Sequence, residues 1–314
     1  MSEITLISPA TSANLGPGFD ALGLSLALFN EVGIKRAKAF SLAVEGEGKG
    51  LIDSENLFLR IFYEELACYL GLNEGPKCPA MRLDILKEKQ PFAFSFKNAI
   101  PLSRGLGSSS SVVVAAVSAA RHFAKDECSQ KILDKQELLN AALKYETHPD
   151  NIAPCMLGGF VSSVVKDSFI YCQKTAMNKD YAAVVAIPKQ PVSTKESRKA
   201  LPKSLSLKKC VHALSHAALL TACFTKQDFS LAKIASEDLL HQNARMQAFP
   251  ELFSLQKMAF SKGALLSTLS GSGPSFFNLV RSKDAESLKT ALESAFSAFK
   301  IIKLDFDNEG LRAL

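Results

Sequence analysis

Four short stretches of this sequence concentrate the residue types that do chemistry. The first is Gly105-Leu106-Gly107-Ser108-Ser109-Ser110-Ser111, which runs straight into the apolar segment Val112 to Ala124. A helix starting there leaves backbone N–H groups unpaired and carries about half a positive charge at its N-terminus. Glycines let the backbone come close to a ligand, so the stretch is a seat for an anion, above all a phosphate. Serine hydroxyls beside it can donate to phosphate oxygens or help hold Mg²⁺. No Gly-Lys-Ser/Thr follows, so it is not a Walker A loop, and it lacks the third glycine of the dinucleotide fingerprint. A serine-capped core helix is the plainer alternative. One cap needs one serine, and four follow the two glycines here.

The second stretch, PATSANLGPGFDALG from Pro9 to Gly23, sets Asn14 and Asp20 among small residues. These are the usual turn formers, yet the stretch is long for a plain connection between strands. The third, Tyr145 to Pro154, holds Glu146, His148, Asp150 and Asn151 at a helix end followed by a tight turn. One carboxylate there could hold Mg²⁺, and a second could orient or deprotonate a hydroxyl. Capping and turn formation would use the same residues. His148 has no companion His or Cys at ligand spacing, which argues against a zinc site. The fourth, Ser270-Gly271-Ser272-Gly273-Pro274-Ser275, is either a hairpin turn or a second backbone cradle packed against the phosphate loop.

The elements that must position these stretches follow from periodicity and punctuation. Strands are expected at 4–8, 24–35, 40–44, 80–86, 92–96, 158–165, 182–188, 264–269 and 276–280. Helices are expected at 56–70, at 112–124 after the phosphate loop, and at 135–145, where His148-Pro149 should close the segment. Further helices are expected at 206–224, 229–240, 251–260 and 285–299. The helix after the phosphate loop is apolar all round, which predicts burial in the core. The mixed order of elements argues for an α+β fold rather than a regular alternation. The pattern changes near 153–158, which places a boundary between residues 1–155 and 156–314.

Composition limits the function classes. The chain has 314 residues, 47% apolar and 22% charged, as an ordinary folded enzyme does. The net charge of +6 suits an anionic substrate. The densest lysine run, 195–209, has no interleaved aromatics, which argues against nucleic-acid binding. Seven cysteines with no CxxC pair read as reduced thiols of a cytoplasmic protein. No signal peptide and no apolar run of about 18 residues is present, so no membrane segment is expected.

Taken together, the four stretches resemble the GHMP kinases. PLSRGLGSSSS, from Pro101, is similar to the family's P-x-x-x-G-L-G-S-S phosphate motif, and Ser270 to Pro274 to its C-terminal glycine motif. PATSANLGPGFDALGLSLALFN and HPDNIAPCMLGGF resemble the members that phosphorylate L-homoserine. The matches span nearly the whole chain in order. The resemblance implies two α+β domains, the first like the second domain of ribosomal protein S5, with a left-handed crossover against the usual hand. The second would be ferredoxin-like, with ATP and substrate in the cleft between. It further implies transfer of the γ-phosphoryl group of ATP to the side-chain hydroxyl of L-homoserine, with Mg²⁺, in threonine biosynthesis, and a homodimer.

Carried over by position, the resemblance assigns Pro101, Leu102, Ser103, Arg104, Gly105, Leu106, Gly107, Ser108, Ser109, Ser110 and Ser111 to the nucleotide, with Gly271 and Gly273. Ser109 and Glu146 match the Mg²⁺ pair. Asn14, Asp20, Asn151, Arg198 and Arg245 match the substrate set, and Asp150 with Asn151 faces the reacting hydroxyl. Thr147 stands where many relatives have glycine. An arginine fork suits the carboxylate of an amino acid, and an acidic partner suits its ammonium. Two other readings are another GHMP kinase, such as one acting on mevalonate, and a non-catalytic sensor of ATP and a metabolite. Mevalonate has no ammonium, and a sensor would be expected to lose Glu146 and Asp150.

Overall fold

Apolar alternation makes β1 (Glu3–Ala13) and β2 (Leu22–Arg36) a long antiparallel pair. The computed structural model describes residues 3–71, 83–128, 135–191 and 194–314. In it β1 continues past a register shift between Pro9 and Ala10, so only residues 14–21 cross to β2. The loop expected from Pro9 onward is therefore shorter than its turn-rich composition suggests.

β3 (Ser41–Gly46) lies parallel to β4 (Phe92–Asn98), and β4 pairs with β2. Between them come α1 (Leu57–Tyr69) and α2 (Leu83–Lys89). The Asn56 side chain caps α1 by accepting the Leu59 N–H. The strand expected at 80–86 is corrected over 83–86, which are helical; 80–82 lie outside the described residues. Asp84 in the first turn and Lys87 and Lys89 in the last complement the helix dipole, which outweighs the short apolar run.

α3 (Ser108–Cys128) is buried as its apolar surface requires: Val113, Val114, Ala116, Val117, Ala119 and Ala120 have no exposed surface. Its Phe123 ring packs 4.8 Å from Phe92, which meets Phe62 of α1 at 5.1 Å. α4 (Lys135–Ala142) is followed by a helix that periodicity did not suggest, α5 (Pro149–Leu157). Pro149 does not merely close the preceding segment. It occupies the first helical position of the next, where its missing N–H costs nothing. Asp150 and Asn151 thus stand in the first turn of a helix, not in a loop.

β5 (Phe160–Lys166) pairs with β2 and with an unanticipated strand, β6 (Phe169–Thr175). Then follow β7 (Tyr181–Pro188), α6 (Thr194–Lys199), α7 (Leu207–Lys226), α8 (Ala232–Ala235), α9 (Gln242–Met246) and α10 (Glu251–Ser261). The chain ends with β8 (Leu266–Leu269), β9 (Phe276–Arg281), α11 (Ala285–Ala295), β10 (Phe299–Leu304) and β11 (Arg312–Ala313). The helix expected at 229–240 is only the single turn of α8. Asp238 instead accepts the backbone N–H groups of Leu240, His241 and Gln242, a local pattern that competes with helix. The helix expected to reach 299 stops at Ala295, and Phe299 opens β10.

The first sheet has the order β11-β1-β2-β4-β3, with β5 joined to β2 and β6 to β5. Residues 160–175 therefore hydrogen-bond into the first sheet although they follow the boundary expected at 155, and β11 returns to it. The second sheet has the order β10-β7-β9-β8, every neighbour antiparallel. That is fourth-first-third-second, the ferredoxin-like arrangement. The two sheets share one apolar core, in which Phe160 stacks on Phe224 of α7 at 4.3 Å. A shared core sets the cleft above it. Among the described residues, no helix is long and apolar enough to cross a membrane.

Candidate active site

Three backbone segments close the floor of that cleft. Thr11 N–H donates to the Leu106 carbonyl (3.1 Å), Gly271 N–H to Ala13 (3.0 Å) and Ser275 N–H to Arg104 (3.2 Å). The Ser270 hydroxyl donates to the Gly105 carbonyl at 2.7 Å. The glycine turn at 270–275 thus packs on the phosphate loop. Gly107 has φ +68°, and a Cβ there would overlap the Thr11 hydroxyl. Gly107→Ala should lose roughly 1–2 kcal/mol to the left-handed backbone and about 1–3 kcal/mol to the overlap. A urea unfolding midpoint checks this; an unchanged midpoint would mean that the loop tolerates a side chain.

The first backbone bond of α3 runs from Ser111 N–H to Gly107 (2.9 Å), so the N–H groups of Ser108 to Ser110 precede it. The serines divide by role. Ser111 is buried, 2.7 Å from Ser8 Oγ, and accepts from the Asn30 amide at 3.2 Å. Asn30 Oδ1 accepts the N–H groups of Ala99 and Ile100 at 3.1 Å each, which pins the chain entering the loop. Ser110 is buried too, and Ser109 is exposed. Pro101, Leu106 and Gly273 do not line the cavity. The Arg104 guanidinium donates to the carbonyls of Leu102, Pro188 and Lys189, tying the loop to the end of β7.

A charged cluster lines the same cavity as the 105–111 loop. Asn14, Leu15 and Asp20 all adopt positive φ in the 14–21 connection. Asn14 donates to the Gly271 carbonyl (2.8 Å) and accepts from Asp20 N–H (3.0 Å). Arg198 donates to both Asp20 oxygens at 2.7 and 2.9 Å. Arg245 donates to His241 Nδ1 (3.1 Å) and the Gly271 carbonyl (3.2 Å). The Phe19 ring lies 5.2 Å from the Arg198 guanidinium and 5.3 Å from that of Arg245, a single platform for both cations. Burial, with Arg198 nearby, pushes Arg245 down to about 10. Among the described residues, the Nε atoms of both arginines are buried without a partner. Two guanidinium groups side by side could hold an anion.

Phe19 and His241 escaped the reading of the sequence: one sits in turn-like surroundings, the other before a short helix. His241 Nε2 donates to the Gly16 carbonyl (2.8 Å), which leaves Nδ1 to accept from Arg245. Burial lowers the pKa of His241 and favours that neutral acceptor.

Across from the arginines, Asp150 is buried, and burial followed by the charge of Asp20 raises its pKa to about 7. Gly23 lets β2 pass it, since a Cβ there would overlap the Asp150 carbonyl. Asn151 accepts from the Thr11 hydroxyl at 2.8 Å. Glu146 bonds His148 Nδ1, and this bond is the main cause of the raised His148 pKa. Asn14, Asp20, Glu146, His148, Asp150, Asn151, Arg198 and Arg245 line one cavity of about 400 Å³. Ile52, Leu57, Phe58 and Phe96 give it an apolar lining as well, with the amides of Asn56 and Asn98. The glycine-serine loop, the carboxylates of Asp20, Glu146 and Asp150, an arginine pair and apolar side chains thus share one space.

Comparison with known proteins agrees with this geometry. Residues 77–159 match the family model of the GHMP kinases N terminal domain, and residues 219–298 that of GHMP kinases C terminal. The chain is 46% identical to the homoserine kinase of Campylobacter concisus over 309 residues, 98% of each chain. It is 44% identical to that of Campylobacter lari over 309 residues, 98% of this chain and 99% of the other. The crystal structure of homoserine kinase from Cytophaga hutchinsonii superposes with a TM-score of 0.80 at 25% identity, covering 100% of this chain and 98% of that one.

Proposed function

The chain belongs to the GHMP kinases, and on that premise we propose that it transfers the γ-phosphoryl group of ATP to the side-chain hydroxyl of L-homoserine. Relatives named homoserine kinase at 46% identity over nearly the whole chain support this reading. The observation that carries it is the pair of guanidinium groups on Phe19, with Nε atoms that have no partner among the described residues, beside Asp20 and Asp150. A zwitterion suits that corner. Its carboxylate takes the arginine fork, and its ammonium takes Asp20 and the Asn14 amide oxygen. The Asp20–Arg198 ion pair is the one such a ligand would divide between its own two charges.

The hydroxyl is then held by Asp150 and Asn151 toward the seat formed by Gly105, Gly107, Ser108 and Ser109. The apolar part of the lining takes the nucleotide base. Ser109 and Glu146 both line the cavity and offer the hard oxygen donors that Mg²⁺ requires. When bound, Mg²⁺ neutralises phosphate charge. Phosphoryl transfer needs mainly positioning and charge stabilisation, and these residues supply both. Asp150 orients the hydroxyl and, with a pKa near 7, can accept its proton late in the transfer.

ADP release with MgATP tests the reading when L-homoserine, mevalonate and no acceptor are offered in parallel. Turnover is expected with L-homoserine alone. Mevalonate has a carboxylate but no ammonium to set against Asp20. Turnover with mevalonate and not with homoserine would overturn the amino-acid site while leaving the phosphate loop in place.

A further inference from the structure

Outside the cavity, α7 and the turn after α8 bring a second group of ligand-type side chains together. His212 and His216 are one helical turn apart on α7 and share a face. Their rings stack with centroids 3.7 Å apart. Glu237 approaches with Oε2 at 4.0 Å from His212 Nε2. One ring nitrogen of each histidine and a Glu237 oxygen all lie within 4.8 Å of one another.

His216 Nδ1 is 2.9 Å from the Ile234 carbonyl oxygen. A carbonyl only accepts, so this bond keeps the proton on Nδ1 and a lone pair on Nε2. Metal-ligating histidines are oriented by the same kind of outer bond. Among the described residues, His212 Nδ1 is buried with no hydrogen-bond partner. Its Nε2 lies beyond hydrogen-bond reach of Glu237.

We propose that His212, His216 and Glu237 form a site for a divalent transition-metal ion of the zinc class, with water as the fourth ligand. Two imidazoles and a carboxylate suit Zn²⁺, Co²⁺ or Ni²⁺, whereas Mg²⁺ takes oxygen ligands. A tetrahedral ion with bonds of about 2.0–2.1 Å sets its donors roughly 3.3 Å apart. The exposed Glu237 side chain has the freedom to close that gap, and the His212 ring must turn out of its near-parallel stack on His216 for both lone pairs to meet one ion.

The ion would clamp Glu237 to α7. The next residue, Asp238, accepts the backbone N–H groups that open α9, the helix carrying Arg245. A Cβ on Gly16 would come within 2.5 Å of the Ser236 carbonyl, so the substrate loop leans on the same segment. Metal binding therefore braces the scaffold behind the arginine fork, at a place separate from the nucleotide site.

Co²⁺ titration of the full chain, read by its visible absorption, tests this. One equivalent is expected, with the intensity of a four-coordinate N/O site and no thiolate charge-transfer band. Zn²⁺ should displace it and Mg²⁺ should not. His212→Gln, His216→Gln and Glu237→Gln should each weaken uptake at least as much as the roughly 10–100-fold that losing an outer-shell partner costs. Their circular dichroism serves as the check on folding. A thiolate band would assign the uptake to cysteine, since the chain has seven. That band, equal binding by all three variants, or no saturable uptake at micromolar Co²⁺ would each overturn the site.

Discussion

Asp150→Asn should remove most turnover while making the protein harder to unfold above neutral pH. Loss of a positioned acid–base group costs about 10²–10⁴-fold in rate. The stability effect has the opposite sign. Asp150 is buried beside Asp20, so its folded pKa of about 7 lies above the ordinary 3.8. Between those values the folded chain holds a proton that the unfolded chain has released. Stability therefore falls as pH rises through this window, and the cost is complete above about 7. Each unit of the shift corresponds to about 1.4 kcal/mol. Asparagine carries no charge to bury. Its Tm should exceed that of the parent at pH 8, with the gap shrinking as pH falls toward 4. The parent's kcat/KM should rise with pH through about 7 as the carboxylate forms. Near-normal turnover of Asp150→Asn would refute both the orienting and the proton-accepting role. An equal Tm at pH 8 would refute the buried charge.

Arg245→Ala should raise the KM for homoserine with little change for ATP. Removing a charged hydrogen-bond partner costs about 1.5–3 kcal/mol, or roughly 10- to 150-fold. Arg245→Lys should recover only part of this, because an ammonium cannot make the two parallel bonds of the fork. Phe19→Leu separates geometry from charge. It keeps both arginines and removes their shared ring, which is worth about 0.5–2 kcal/mol per cation. A rise in homoserine KM at unchanged kcat would show Phe19 to be a positioning residue. Steady-state kinetics with each substrate varied in turn reads all three variants. An unchanged homoserine KM in Arg245→Ala would remove that residue from the site.

Much of this site is written locally. Two glycines and four serines before an apolar helix could seat an anion through backbone conformation alone, and in the structure Ser109 is exposed and the N–H groups of Ser108 to Ser110 precede the first backbone bond of α3. The apolar circumference of α3 likewise dictated its burial. Arg198 and Arg245 entered through resemblance, since nothing in their own surroundings marks them.

Other features depend on partners far along the chain. Ser111 looks like its neighbours, but Ser8 and Asn30 withdraw it into the core. Asp150 is an ordinary first-turn carboxylate until Gly23 lets β2 cover it and Asp20 adds its charge. Phe19 becomes a platform only where α6 and α9 bring two arginines to it. Pro149 reads as a stop, and only the packing of α5 against β1 and β2 shows it to be a start. β5 returns to the first sheet because β2 offers it an edge, and β6 follows by pairing with β5, a matter of register rather than composition. Caps, turns and amphipathic faces are set by a few consecutive residues, so the sequence determines them directly. Burial, pKa and charge pairing arise from residues that only the folded chain brings into contact, so the tertiary structure decides them.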